Sequence, residues 1–99
     1  MTRKFIDYAR KGICEVCGKP APVVVVSSSL GPGSCAYCED CYANGLEPYY
    51  MIVPAVCACG WEDMADWAKA RIRKTLTKLG ITEEKMLADV KTKEEAYTD

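Results

Sequence analysis

The sequence contains no histidine, and that absence narrows the available chemistry. A catalytic zinc keeps one position open and normally has histidine or carboxylate in its shell. A cysteine nucleophile usually relies on a histidine base. A redox-active Cys-x-x-Cys normally sits on a scaffold of alternating strands and helices, and no such alternation is legible here. The expectation is a non-enzymatic protein.

Long apolar runs are missing too. No stretch approaches the roughly 18 residues that a membrane-spanning helix needs. Met1 to Tyr8 carries basic residues but no apolar segment behind them, so nothing there resembles a signal peptide. The chain is expected to be cytoplasmic, without a membrane partner, where thiols stay reduced and disulfides are rare. Strong net charge is also absent, at −1 for the whole chain. Residues 1–60 balance, residues 61–80 carry +2 and residues 81–99 carry −3. Bulk electrostatic binding of nucleic acid is therefore not expected, and any such contact must come from one local face.

Cysteine, by contrast, is abundant, with seven in 99 residues. The odd count argues against a closed disulfide framework. A chain this short buries a modest core and commonly needs a metal to fold well. Structural zinc takes four ligands in a tetrahedron, usually brought as two pairs. Cys14-x2-Cys17 followed by Gly18 forms one such pair, because a tight turn aims both sulfurs at one point and the glycine permits a positive φ. The second pair is open: Cys35-x2-Cys38 and Cys38-x2-Cys41 overlap. Choosing Cys38 and Cys41 places both thiolates at a helix N-terminus, where the macrodipole favours negative charge. Cys14, Cys17, Cys38 and Cys41 are the preferred ligands on that ground, with one Zn2+ as cofactor. Cys35, Cys57 and Cys59 then either form a second site, sharing a ligand with the first, or are small core residues. Four thiolates also hold iron. Rubredoxin-like knuckles tend to have glycine after both pairs, however, and Tyr42 follows Cys41 here.

Around these ligands the sequence predicts a knuckle, a hairpin with strands near Val23–Ser28 and Ser34–Tyr37, and a helix opening at Cys38 and closing at Asn44-Gly45. Over about residues 12–46 this order resembles treble-clef zinc fingers. The resemblance is architectural. Treble clefs serve in DNA, RNA and protein contacts and in a few nucleases whose histidines surround a catalytic metal, and that last branch is closed here.

Elsewhere, residues 3–11 read as a short helix stopped by Gly12. Tyr49 to Val56 reads as a strand, with Pro54 confining it to an edge, and Cys57-Ala58-Cys59-Gly60 reads as a turn. Trp61, Met64, Ala65, Ala68, Ile72, Leu76 and Leu79 recur at helical spacing, predicting one amphipathic helix over 61–79 closed by Gly80. Thr82 caps a shorter helix to about Val90, and residues 91–99 read as a flexible tail. The fold expectation is α+β, a single zinc-binding domain over 1–99. Residues 12–60 form its cysteine-rich finger and 61–90 its helical extension.

Two surfaces invite a partner. Trp67, Arg71, Lys74 and Lys78 share one stripe of helix 61–79, an aromatic among cations that suits phosphates and a stacked base. Basic residues toward a helix C-terminus are equally expected from the dipole alone. Tyr42, Tyr49, Tyr50 and Met51 around Pro48 form either an apolar contact patch or the core between finger and long helix. The leading expectation is a protein-interaction adaptor or regulator, with nucleic-acid-processing machinery among the targets that the finger resemblance implies. The alternative is direct DNA or RNA binding through the Trp67 stripe.

Overall fold

The valine-rich segment after the first cysteine pair organises the sheet. In the computed structural model, which describes residues 9–97, strands β1 (Arg10–Ile13), β2 (Pro20–Ser27) and β3 (Ser34–Cys38) form an antiparallel sheet in the order β1-β2-β3. Val23 to Val26 are stiff at χ1 and suit a pleated surface. Pro20 and Pro22 would be out of place in a strand paired on both sides. The register explains them: β3 pairs with β2 only from Val23↔Cys38 to Ser27↔Ser34, whereas β1 takes Ile13↔Pro20 to Arg10↔Val23. The prolines therefore lie where β2 has a single neighbour.

Strand β1 departs from expectation. Residues 3–8 of the anticipated helix lie outside the described residues, and Arg10 and Lys11 open a strand instead. Gly12 accounts for it, since a Cβ there would stand 2.8 Å from Val23 Cγ2. Glycine is what leaves room for the Val23 side chain beside the β1 backbone.

After β3 the chain turns into α1 (Glu39–Ala43) with Cys38 as N-cap. Gly45, at φ 67°, ends it, and the Leu46 N–H donates to the Cys41 carbonyl at 3.0 Å. The segment expected as an edge strand is instead the helix α2 (Tyr49–Cys59), and the expected turn at Cys57–Cys59 is its last turn. Helical geometry buries Ile52, Val53, Ala55 and Val56 together, a wide face that a strand could not gather on one side. Pro54 removes one N–H from that helix, a local cost outweighed by burial of the apolar face.

The long helix is also modified. Trp61–Asp63 is a 3-10 turn, Met64 and Ala65 are extended, and α3 runs over Asp66–Leu79. Gly80 closes it at φ 70°. The break has a visible purpose, because the Arg73 guanidinium lies 5.3 Å from the Trp61 ring centre. Twelve residues along a straight helix would separate the two by about 18 Å. Met64, Ala68, Ile72 and Leu76 are buried as expected, but Ala65 is exposed. Thr82 caps α4 (Glu83–Tyr97) by accepting the Lys85 N–H at 3.1 Å. The helix passes its expected end at Val90 by two turns.

Burial falls into two clusters. One packs α2, α3 and α4 around Ile52, Val56, Ile72, Leu76, Met86 and Val90. The other lies in the finger and joins Cys14, Val16, Val23, Cys35, Tyr37, Cys41 and Leu46. Three of its seven members are cysteines, so the finger depends on sulfur for a large part of its interior.

Candidate metal centre

Three local devices deliver the four thiols. Cys14 and Cys17 sit on the turn joining β1 to β2, which is closed by the Gly18 N–H donating to the Cys14 carbonyl at 2.8 Å. The turn needs Gly18 at φ 75°. The Glu15 N–H donates to the Ala36 carbonyl at 2.9 Å and pins the turn to β3. Cys38 ends β3 and caps α1, while Cys41 lies in the first turn of α1.

The four Sγ atoms of Cys14, Cys17, Cys38 and Cys41 all lie within 4.8 Å of one another, and those of Cys17 and Cys38 are 4.0 Å apart. Tetrahedral zinc–sulfur bonds of about 2.3 Å place sulfurs about 3.8 Å apart, so the cluster fits a structural metal with inward shifts of roughly 1 Å or less. Cys14 and Cys41 are fully buried, whereas Cys17 and Cys38 are half-buried.

The environment of Cys14 is prepared for negative charge. Burial pushes its thiol up, but backbone N–H groups of Cys17, Cys38 and Val16 outweigh that and bring it down to about 7. Burial raises Cys17, with Cys14 adding to the shift and the Lys19 N–H opposing it. Burial likewise raises Cys41, reinforced by Cys38 and Cys14. Negative charge on Cys14 opposes ionisation of Cys17 and Cys41 beside it. A dication at the centre reverses that repulsion.

The other three cysteines are placed elsewhere. Cys35 is buried on β3 and accepts a hydrogen bond from the Tyr50 hydroxyl at 3.4 Å. The geometry decides between the overlapping pairs: three residues apart in a strand point to opposite faces, whereas three apart at a helix start share one. The Cys57 thiol donates to the Val90 carbonyl at 3.5 Å, and Cys59 is exposed. Among the described residues, none of the three joins the four-thiol cluster.

The Trp67 stripe lies on α3 as expected, but half of it faces inward to the finger. Arg71 Nη1 donates to the Gly45 carbonyl at 3.3 Å and lies 3.6 Å from Glu47 Oε2. Lys78 Nζ is 2.7 Å from Asp40 Oδ2 on α1. Trp67 is 55% exposed, with the Arg71 guanidinium 5.9 Å from its ring centre. Lys74 is exposed.

Sequence reasoning missed Glu47. It is 3% exposed and accepts hydrogen bonds from Ser28 Oγ at 2.6 Å and the Tyr37 hydroxyl at 3.0 Å. Its own N–H donates to Thr75 Oγ1 at 3.1 Å. Burial and the Glu47 carboxylate push the Tyr37 phenol up, so it remains a donor at neutral pH. The signal available was slight: one acidic residue between Leu46 and Pro48, where two apolar segments meet. A groove of about 420 Å³ opens beside it, with Tyr42, Leu46, Ser29 and Arg71 in its walls. Tyr42 is half exposed there, and Tyr50 also keeps half its surface exposed. Tyr49 and Met51 pack partly against the two cores.

Compared with protein-family models, with curated proteins and with solved structures, the chain matches none of them.

Proposed function

We propose that the chain is a non-enzymatic zinc-binding module that acts as a protein-interaction adaptor or regulator. The observation that carries this reading is the convergence of four thiols from the β1–β2 turn, the end of β3 and α1. A zinc held by four thiolates has its tetrahedron filled and keeps no position for an activated water. Such a metal holds a fold together and leaves recognition to the surface around it.

The surface that suits a partner lies along the seam between finger and helices. Tyr42 and Trp67 are about half exposed on either side of Arg71. Aromatic and arginine side chains on a rigid support are the types that dominate protein contacts. The resemblance of the finger to treble clefs keeps nucleic-acid-processing proteins among the targets. Direct nucleic-acid binding through Trp67, Arg71, Lys74 and Lys78 is the less favoured reading, because Arg71 and Lys78 already meet carboxylates within the chain.

Capture of a partner by the immobilised chain after nuclease treatment tests the reading. A protein retained by the native chain should be lost with Tyr42→Ser plus Trp67→Ser while metal content is unchanged. Equal retention by the variant contradicts the reading. Retention that vanishes with nuclease and falls steeply with salt supports nucleic-acid binding instead.

A further inference from the structure

Four thiolates around a dication carry a net charge of −2, and that excess needs compensation from outside the ligands. The backbone supplies part of it. N–H groups reach Cys14 from Val16, Cys17 and Cys38, and reach Cys17 from Lys19. These donors come from the knuckle and the end of β3, on the finger itself.

A different source serves the α1 side. Lys78, in the last turn of α3, brings its ammonium 2.7 Å from Asp40 Oδ2, and Asp40 immediately precedes Cys41 in α1. Asp40 sits between the ligands Cys38 and Cys41, so the ion pair holds the ammonium at the turn that carries two of the four thiols. Lys78 thus meets an exposed carboxylate on the helix turn that also carries Cys38 and Cys41. The helical half of the chain supplies a cation at the border of the metal centre without supplying a ligand.

We propose that Lys78 is a counter-charge for the metal–thiolate cluster, so that the tightness of metal binding depends on the sign of the charge presented at this place. The inference rests on the reading that Cys14, Cys17, Cys38 and Cys41 hold a divalent metal. Asp40 then acts in the opposite sense, adding negative charge beside the cluster and competing with it for the ammonium. The simpler alternative is a staple, in which the Lys78–Asp40 pair only fastens α3 to α1. The two accounts differ in sign. Losing either half of a staple does the same harm, whereas losing opposite charges beside an anionic cluster has opposite effects.

The test is competition for Zn2+ between the full chain and a chromophoric chelator at low ionic strength, with the thiols kept reduced. Lys78→Met should weaken zinc binding about three- to tenfold, the size expected for one charge near a doubly charged centre in a watery setting. Lys78→Arg should bind as tightly as the native chain, and Asp40→Asn should bind more tightly. Raising the salt to about 0.5 M should shrink both differences. Equal weakening by Lys78→Met and Asp40→Asn overturns the proposal in favour of the staple. Native affinity in Lys78→Met, or no gain in Asp40→Asn, overturns it as well. Circular dichroism of each zinc-loaded variant checks that α2 to α4 are intact. A native chain that takes up no zinc defeats the metal reading itself, whereas a native chain that does, beside an unaffected Lys78→Met, defeats this inference alone.

Discussion

Glu47 shows how a single side chain can join two cores. Its carboxylate takes two hydroxyl donors and lies beside Arg71, while its backbone N–H is taken by Thr75. These partners come from the loop after β2, from β3 and from α3. Replacing it with alanine leaves the buried Tyr37 hydroxyl without its acceptor and Arg71 without its nearest carboxylate. Glu47→Ala is expected to cost about 2–3 kcal/mol, discounted for the partial exposure of Arg71, measured as a lower urea midpoint with an unchanged slope. An effect below about 0.5 kcal/mol, the usual range for surface substitutions, would contradict its role at the seam. The residue was illegible in the sequence because its hydrogen-bonding partners lie 10 to 28 positions away. The cysteines were legible for the opposite reason. Each pair is local, and the choice of Cys41 over Cys35 followed from placing both thiolates at a helix N-terminus.

At the scale of elements, α2 and β1 were the least readable. Pro54 disfavours a helix interior and the β-branched run Ile52-Val53 favours a strand by local preference, yet tertiary burial overrides both, and a helix gathers the buried face. The amphipathic pattern of α3 was plain, but the break at Met64 and Ala65 was not, since it serves a contact between Trp61 and Arg73. Helix α4 is tied to α2 by the Tyr49 hydroxyl donating to Asp89 and by the Cys57 thiol donating to Val90. Lys85, followed by Tyr49, holds the Asp89 carboxyl below its ordinary value of 3.8. A depressed carboxylate contributes stability above its unfolded pKa and loses it as pH falls through the folded one. Asp89→Asn should therefore lower the Tm at pH 7, and the difference from the native chain should close as the pH is taken well below 3.8. A difference that persists at pH 2 would mean that Asp89 acts by shape rather than by charge.

The whole molecule divides by what holds each half. The helical half has an apolar core of its own, built from Ile52, Ile72, Met86 and their neighbours. The finger core contains Cys14 and Cys41 among its few fully buried residues. In small modules of this kind metal binding and folding are one free energy. Removing the metal with a chelator is expected to expose β1–β3 and α1 to amide exchange while Ile52–Val56 and Ala68–Leu76 stay protected. Uniform loss of protection would show instead that the seam through Glu47 makes the two halves a single cooperative unit. The α+β class and the position of the cysteine cluster were readable from pattern and spacing. The joining of the halves was not, because Arg71 and Lys78 look like a solvent-facing basic stripe until the finger is placed beneath them.

The account turns on one metal held by four cysteines, and its stoichiometry can be read from native mass spectrometry of the reduced chain. The prediction is one zinc per chain, retained in Cys35→Ser and lost in both Cys14→Ser and Cys41→Ser. No bound metal in the native chain, a second zinc lost with Cys57→Ser, or zinc lost with Cys35→Ser but kept with Cys41→Ser would contradict it.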